Sequence, residues 1–292
     1  MEKSKVAVVI VTYNRSDVIQ KTLDCLQAQT HPISNIIVVD NMSSDNTIIG
    51  LLERKKKDDR ISIVSSTENI GYGAGLALGM NWGLENTDVD YMWLMDDDVS
   101  NIPETLGYLV ENCKKYHYDA LGLMGYKLGL GTKTKVNPIN HSEDIDFMPV
   151  DHALFSIETV KKVGVPSSDF FMMCEDYEYC LRIKKAGLKI GVIGNNHVKR
   201  LALGGGEKFS RSTRWRGYYH SRNHLLILKQ YFSWFRLISY LIVQSKYLIA
   251  GFIQSPDRFQ RTKFRLRGIF HGLQSIKGKT LDPMTLTFKK NG

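Results

Sequence analysis

The apolar run Tyr91-Met92-Trp93-Leu94-Met95 ends abruptly in three consecutive carboxylates, Asp96-Asp97-Asp98. A run of that length and aromatic content reads as a buried strand, with the acids at its carboxyl end. In an open α/β sheet that edge is where ligands bind. Three carboxylates crowd together there only if water or a cation compensates them. A divalent metal holding a phosphorylated ligand is one compensator. An acidic turn after a strand is the other reading of the same residues. The rest of the chain has to decide between the two.

The same unit recurs upstream. Residues 6–12 form an apolar strand ending in Thr12-Tyr13-Asn14-Arg15. A helix follows, with Ser16 or Asn14 as cap and Val18, Leu23 and Leu26 turned inward. Residues 35–40 are a second strand that again ends in an acid, Asp40. The turn chemistry of Asn41-Met42-Ser43-Ser44-Asp45-Asn46 opens a helix over 47–57. A short strand covers 60–64, and Asn69-Ile70-Gly71-Tyr72-Gly73-Ala74-Gly75 leads into a helix ending near Asn86. Strands and helices alternating at this spacing predict a parallel sheet with right-handed crossovers. Thr12, Asp40, the 69–75 loop and Asp96–Asp98 then share one edge, as a nucleotide pocket requires. Asp40 would accept hydrogen bonds from a base or ribose. The loop glycines would let backbone approach a ligand, although a tight turn with helix packing explains them too. The GxGxG spacing is not a dinucleotide fingerprint, and no P-loop is present.

The second half is less regular. A helix over 103–117 precedes a strand-like run at 120–126, a polar excursion over 127–146, and a strand over 147–156 interrupted by Asp151 and His152. The apolar 170–173 then runs into Cys174-Glu175-Asp176-Tyr177-Glu178. Glu175 and Asp176 fall in the first turn of a helix, where the dipole favours negative charge, and Ala186-Gly187 closes it. A strand over 188–193 is followed by Asn195-Asn196-His197.

Charge divides the 292 residues in two. From Lys199 onward there are 19 Lys and Arg against 3 Asp and Glu, a net of +16, whereas residues 1–198 hold 20 against 27, a net of −7. The basic third should face something anionic, nucleic acid or a membrane leaflet. No helix-turn-helix, zinc or RNA-binding motif is present, so a nucleic-acid partner is the weaker reading. From 214 to about 253 the chain is helical and aromatic-rich, but Lys229, Arg236 and Lys246 interrupt it, and no charge-free run approaches the ~20 residues of a membrane span. Arg258, Arg261, Lys263, Arg265 and Arg267 alternate with Phe259, Phe264, Leu266, Ile269 and Phe270. This reads as a basic amphipathic helix on an anionic leaflet, with a solvated helix or an oligomer interface as alternatives. The first apolar run is too short for a signal peptide. The four cysteines form no CxxC pair and read as reduced thiols of a cytosolic protein.

Five motifs in order carry a resemblance: Thr12-x-Asn14; Val39-Asp40-Asn41-x-Ser43-x-Asp45; Asn69-x-Gly71; Asp96-Asp97-Asp98; and Glu175-Asp176-Tyr177-Glu178. Over roughly residues 5–225 the chain resembles the family 2 inverting glycosyltransferases of the GT-A fold. The resemblance implies an α/β architecture, a Rossmann-like, mixed and mainly parallel sheet flanked by helices. It makes 1–213 the catalytic domain and leaves 214–292 as a basic, aromatic-rich helical extension at a membrane surface. Thr12 and Asn14 would line the nucleotide site, Asp40 would contact the base, and Asn69 and Gly71 would lie along the nucleotide. Asp96 and Asp98, sharing a face by the two-residue period of an extended segment, would bind Mn²⁺ or Mg²⁺ bridging the diphosphate. Asp97 would point towards the ribose or donor sugar. Asp176 matches the family's general base, with Glu175 orienting the acceptor or tuning it. Capping of the helix by two acids is the plainer reading.

His197 would complete the metal shell, or is a loop residue. Residues 203–213 would close over the diphosphate, or are a connector. Arg211, Arg214, Arg216 and Arg222 are candidates for binding donor or lipid-diphosphate phosphates. Asp176-x-Glu178-Tyr179 with Leu181-Arg182 resembles galactofuranosyltransferases and favours UDP-galactofuranose as donor. Rhamnosyltransferases using dTDP-rhamnose tend towards Glu-Asp-x-Asp and are the alternative. The long terminal additions of the large polymerising galactofuranosyltransferases are missing, which favours transfer of one or a few residues. The implied acceptor is a polyprenyl-diphosphate-linked glycan of cell-surface polysaccharide synthesis. The implied location is the cytoplasmic face of the membrane, as a peripheral protein, with an oligomer left open. The intact Asp96, Asp98 and Asp176 argue against an inactive scaffold.

Overall fold

A computed structural model describes residues 3–139, 141–194 and 213–289. Strand β1 (Val6–Thr12) is buried along its whole length and lies parallel between β2 (Asn35–Asp40) and β4 (Tyr91–Asp96). Both faces of these strands are covered by helices, which is why they read as continuous apolar runs. The register pairs Thr12 with Asp40 and Val11 with Asp96, so the three strands end on one edge. With β3 (Ile61–Ser65) outermost, the eight-stranded sheet runs β3-β2-β1-β4-β9-β5-β10-β8. Its second half comprises β5 (Ala120–Gly122), β8 (Ser142–Asp144), β9 (Ala153–Ser156) and β10 (Ile190–Ile193). Strand β9 runs antiparallel between β4 and β5, which makes the sheet mixed.

Helices α1 (Ser16–Gln27), α2 (Thr47–Lys55), α3 (Tyr72–Asn86) and α4 (Thr105–Lys115) fall where the alternation predicts. The inward row of α1 is Ile19, Leu23 and Leu26; Val18 is only partly buried. Neither Ser16 nor Asn14 caps it. The neighbouring loop does so instead: Asp45 accepts the Ser16 N–H at 3.4 Å and Thr47 Oγ1 accepts the Arg15 N–H at 2.9 Å. Helix α3 lies directly on the sheet through glycines four residues apart. A Cβ on Gly75 would sit 2.7 Å from Val11, and one on Gly79 2.7 Å from Val9 and Val39.

Two expectations for the second half are corrected. The polar stretch 127–146 holds most of a hairpin, β6 (Gly125–Gly129) with β7 (Thr132–Val136), followed by β8. Thr132-Lys133-Thr134-Lys135 is exposed on both faces and so lacks the apolar alternation that betrays a strand. The strand expected over 147–156 shrinks to β9, because His152 takes a left-handed φ of +61° while its N–H bonds the Leu94 carbonyl at 2.9 Å.

Among the described residues, α5 (Ile157–Val163) and α6 (Glu175–Lys185) are followed by three further helices, α7 (Arg216–Gln230), α8 (Trp234–Gln254) and α9 (Arg258–Leu273). Gly268 lets α9 press onto α7; a Cβ there would meet Ser221 Oγ and the Tyr218 carbonyl at 2.3 Å. Helix α8 also departs from expectation. It continues through Arg236 and Lys246 for 21 residues and, by length and composition, is apolar enough to cross a membrane. Trp234, Phe235, Ile238, Leu241, Ile249 and Phe252 are exposed along it.

Candidate active site

The loops after β1, β2 and β3 brace one another. Asn41, buried at the end of β2, donates through Nδ2 to Asn69 Oδ1 and the Gly71 carbonyl, both at 3.2 Å, and its Oδ1 accepts the Ile70 N–H at 2.9 Å. Asn69 Oδ1 also accepts the Gly71 N–H at 3.1 Å. Asn14, left-handed at φ +53°, accepts the Ser44 N–H at 2.7 Å and donates its own N–H to Ser43 Oγ at 2.9 Å. Asp40 closes the next turn, its two oxygens 3.3 and 3.4 Å from the Ser43 nitrogen. These residues therefore hold the shape of the edge. Gly71 has φ +87°, and a Cβ there would fall 1.9 Å from the Phe171 carbonyl. Gly73 faces the Phe170 carbonyl at 2.7 Å in the same way. The glycines are thus required by contact with the 170–173 segment, which the Tyr72 N–H also bonds at the Phe171 carbonyl (2.8 Å).

The three consecutive acids are not equivalent. Strand β4 stops at Asp96; Asp97 and Asp98 lie in a turn, so the alternation of an extended segment does not relate Asp96 to Asp98. Thr22 fixes that turn by donating to the Asp97 and Val99 carbonyls, at 2.7 and 3.1 Å. Asp97 accepts the buried Thr12 hydroxyl at 2.8 Å, and Asp98 faces the Arg15 guanidinium at 3.7 Å. Asp96 points inward against Tyr72 and Asp151. Asp151 accepts the Asp96 N–H at 3.3 Å and pairs with His152 Nδ1 at 2.9 Å. Burial, reinforced by Asp151, pushes Asp96 up to about 7, and burial pushes Asp97 to about 6.

Glu175 and Asp176 open α6 from a strained approach. Met173 and Cys174, at φ +74° and +70°, are consecutive non-glycine residues in the left-handed region. The fully buried Asn223 of α7 clamps them, its Nδ2 donating to the Met172 and Met173 carbonyls at 2.9 and 2.7 Å. Arg222 in turn holds Asn223 Oδ1 at 2.9 Å and the Gly278 carbonyl at 2.7 Å. Asp176 Oδ1 accepts the Tyr177 N–H at 2.8 Å. Burial raises Asp176 to about 6, moderated by that bond and by the charge of Lys133 on the hairpin. Burial and the neighbouring Asp176 raise Glu175 to about 8, and Asp96 adds to it. Glu175 Oε2 is buried with no hydrogen-bond partner. Tyr72 lies among Asp96, Asp151 and Glu175, so the two groups of acids share one pocket. Glu178 stands outside it, bound to Arg182 and to the Tyr231 hydroxyl, both at 2.9 Å.

Among the described residues, no three acid, His or Cys side chains converge on a single metal position. The set does fit a cation that shares its coordination with a ligand. Small divalent ions are commonly held by one or two carboxylates plus phosphate oxygens and waters. Asp96 and Asp97 are also driven towards their protonated forms by crowding and burial, which a cation would reverse. His197, Arg211 and nearly all of the 203–213 loop lie outside the described residues. Of the other arginine candidates, Arg214 is bound to Asp257 at 2.6 Å and Arg222 is a buried brace, so neither is placed to bind phosphate; Arg216 is exposed beside Trp215. Asp151 and His152 had a signal in the sequence, the break they make in an apolar run. Lys133 had none, and for Asn223 nothing marked its clamp on the Met172 and Met173 carbonyls, since only the tertiary fold makes these contacts.

The glycosyl transferase family 2 profile matches residues 7–181. Galactofuranosyltransferase GlfT1 of Mycobacterium tuberculosis is 27% identical over 201 residues, 63% of this chain and 66% of the relative, just under two thirds of its length. The putative teichuronic acid biosynthesis glycosyltransferase TuaG of Bacillus subtilis is 29% identical over 126 residues, 42% of this chain and 48% of that one. Mannosyltransferase PcManGT from Pyrobaculum calidifontis, solved in complex with GDP-Man and Mn²⁺, superposes with a TM-score of 0.61 at 14% identity, covering 94% of this chain and 76% of its own. The solved structures establish likeness of fold.

Proposed function

The chain belongs to glycosyltransferase family 2, and from that premise we propose that it is a metal-dependent inverting hexosyltransferase. The observation that carries this reading is the shared pocket in which Asp96 and Asp151 meet Glu175 around Tyr72, with Asp176 beside Glu175. The nucleotide of the donor lies along Thr12, Asn14, Asp40, Asn69 and Gly71. Asp96 and Asp98 would hold Mn²⁺ or Mg²⁺, which would supply positive charge to offset the departing diphosphate. Asp176 takes the proton of the acceptor hydroxyl at Oδ2, its Oδ1 being engaged by the Tyr177 N–H, while that hydroxyl oxygen attacks the anomeric carbon from the side opposite the diphosphate. A carboxylate raised to about 6 suits a general base, because it is ionised near neutrality yet basic enough to accept a proton. Glu175 orients the acceptor.

The favoured donor is UDP-galactofuranose, supported by the Glu175-Asp176-Tyr177-Glu178 pattern and the likeness to GlfT1. Because Glu178 braces α6 outside the pocket, its identity bears on packing more than on the sugar, and dTDP-rhamnose is the second donor to test. The acceptor is a lipid-linked glycan. Residues 1–213 do the chemistry and 214–292 rest on an anionic membrane surface. Exposed Trp234, Ile249, Phe252, Ile253, Phe259 and Phe270 beside Arg258, Lys263 and Arg267 support that placement. The deciding experiment is a thermal-shift and turnover panel of UDP-galactofuranose, UDP-galactopyranose, UDP-glucose and dTDP-rhamnose, each with and without Mn²⁺. Metal-dependent stabilisation and turnover by UDP-galactofuranose is expected. A response to dTDP-rhamnose alone overturns the donor, and metal-independent binding of every donor overturns the metal site.

A further inference from the structure

At the start of α8 a cavity of about 620 Å³ opens between β6, α6 and α7. Its polar wall is Lys184, Lys185 and Arg236 with Asp146 and Gln230, and its apolar wall includes Tyr231, Phe232 and Phe235. Lys184 is neutralised by Asp146. The other two cations have no carboxylate partner among the described residues. Lys185 sits over the Tyr231 ring at 5.2 Å, and Arg236 donates to the Tyr231 carbonyl at 2.8 Å and to Ser233 Oγ at 3.4 Å, both uncharged acceptors. Two uncompensated cations in a concave site select an anion, and phosphate oxygens suit them.

The mouth of the cavity tells which phosphate. Phe232, Trp234 and Phe235 are 57%, 71% and 51% exposed. From Phe235 the exposed row continues through Ile238, Leu241, Ser245, Ile249 and Phe252 at helical spacing along α8, Ser245 being its one polar member. The other side of α8 is tied to the body, by Tyr240 and Leu237 in an apolar cluster with Leu225 and Leu228 and by polar contacts. Ser239 accepts the Gly131 N–H at 3.2 Å, Lys246 donates to the Gly131 carbonyl at 3.0 Å, and Gln244 accepts from Arg265 at 2.7 Å. A helix with one side fastened to the body and one bare apolar side lies in the plane of a bilayer and does not cross it.

We propose that this cavity seats the phosphate headgroup of an anionic membrane lipid, with Lys185 and Arg236 on the phosphate and the acyl chains against Phe232, Phe235 and the α8 row. This deepens the membrane-surface part of the reading above and rests on it. It turns a diffuse basic surface into one defined site. Tyr177, a wall of the cavity, is the chain neighbour of Asp176.

Titration calorimetry of the full chain with monomeric dihexanoyl phosphatidylglycerol, dihexanoyl phosphatidylcholine and inorganic phosphate tests the site. Saturable binding of phosphatidylglycerol is expected, weakened about tenfold or more in Lys185→Ala and Arg236→Gln but unaltered in Lys263→Ala, a basic residue of the same surface away from the cavity. Arg236→Gln can also loosen the α7–α8 turn, so Lys185→Ala, at an exposed position on α6, carries the test. Equal binding of phosphatidylcholine, inorganic phosphate binding as tightly as the lipid, or the same loss in Lys263→Ala would each overturn the proposal. Flotation with phosphatidylcholine vesicles, with and without phosphatidylglycerol, separates the two levels. Vesicles left unbound while the short-chain lipid binds overturn the membrane reading and keep the headgroup site. Phosphatidylglycerol vesicles that bind Lys185→Ala as tightly as wild type overturn the site and keep the membrane reading.

Discussion

The two sides of the acid pocket are built differently. The β1–β4 edge is supported locally: Thr12 holds Asp97, Asn41 holds Asn69 and Gly71, and parallel pairing aligns the strand ends. The Asp176 side is supported from far along the chain, because Asn223 and Arg222 of α7, and behind them Gly278, restrain the left-handed Met173 and Cys174. Topology alone thus positions the first set of acids, whereas the second needs the C-terminal helices. Asp176→Asn gives the largest contrast. It keeps the charge-independent geometry but removes the base, so transfer should fall about 10³-fold while nucleotide affinity, measured by calorimetry, stays near wild type. A variant that loses both together would dissolve the distinction between the two sides. Asn223→Ala asks the same question one step removed. It leaves two carbonyls without their donor beside strained backbone, so kcat should fall about tenfold, with KM for the nucleotide sugar little changed, and stability should drop by about 2 kcal/mol.

Glu178 sharpens the comparison from the other direction. It shares a motif with Asp176 but not its pocket: Glu178 is 3% exposed and locked to Arg182, which also donates to the Val163 and Val165 carbonyls. Glu178→Gln should cost about 2 kcal/mol in urea denaturation, less than breaking a fully enclosed pair because Arg182 reaches water, and should leave kcat unaltered. A large loss of kcat at unchanged stability would place Glu178 in the chemistry after all.

The asymmetry also explains what the sequence made legible. The first four strands and helices have strong periodicity, and their ends fall where apolar runs meet Thr12, Asp40 and Asp96, so the strand ends of that side could be placed, but not the turn that takes Asp97 and Asp98 out of the strand. The hairpin over 125–136 could not, since its strands are exposed and polar, and it is this hairpin that brings Lys133 to Asp176. Nor could Asn223, whose role depends on two carbonyls 50 and 51 residues away. The glycines of 71–75 were visible, but their reason was not: they make room for the 170–173 backbone and for β1, contacts that only tertiary packing reveals.

Smaller effects should appear in the dependence of stability on pH. Asp96 and Glu175 titrate near 7 and 8 in the folded chain, above their ordinary 3.8 and 4.5. The folded state therefore binds more protons than the unfolded one between about pH 4 and 8, and these groups' contribution to stability declines as pH rises through that window. Without ligand, Tm should fall more steeply from pH 5 to pH 8 in wild type than in Glu175→Gln. Adding Mn²⁺ with nucleotide should flatten the wild-type profile. Parallel profiles for the two proteins would mean that Glu175 is not held protonated.

The smallest expected effect tests whether the three consecutive acids divide their labour. Thr12 donates to Asp97, whereas Asp98 answers to Arg15 and Asp96 to Tyr72 and Asp151. Removing that hydroxyl in Thr12→Val frees Asp97 to swing, without changing the charge at Asp96 and Asp98. A hydrogen bond to a charged group is worth about 1.5–3 kcal/mol, of which water reaching Asp97 restores part, so the donor KM should rise about threefold to tenfold. Mn²⁺ affinity, followed by electron paramagnetic resonance in the presence of nucleotide, should be nearly unaltered. Asp97→Asn should fall on the same side, weakening metal binding less than Asp96→Asn or Asp98→Asn. If Thr12→Val or Asp97→Asn weakens Mn²⁺ binding as much as Asp96→Asn does, the acids act as a single cluster and the separation imposed by the turn after β4 has no chemical consequence.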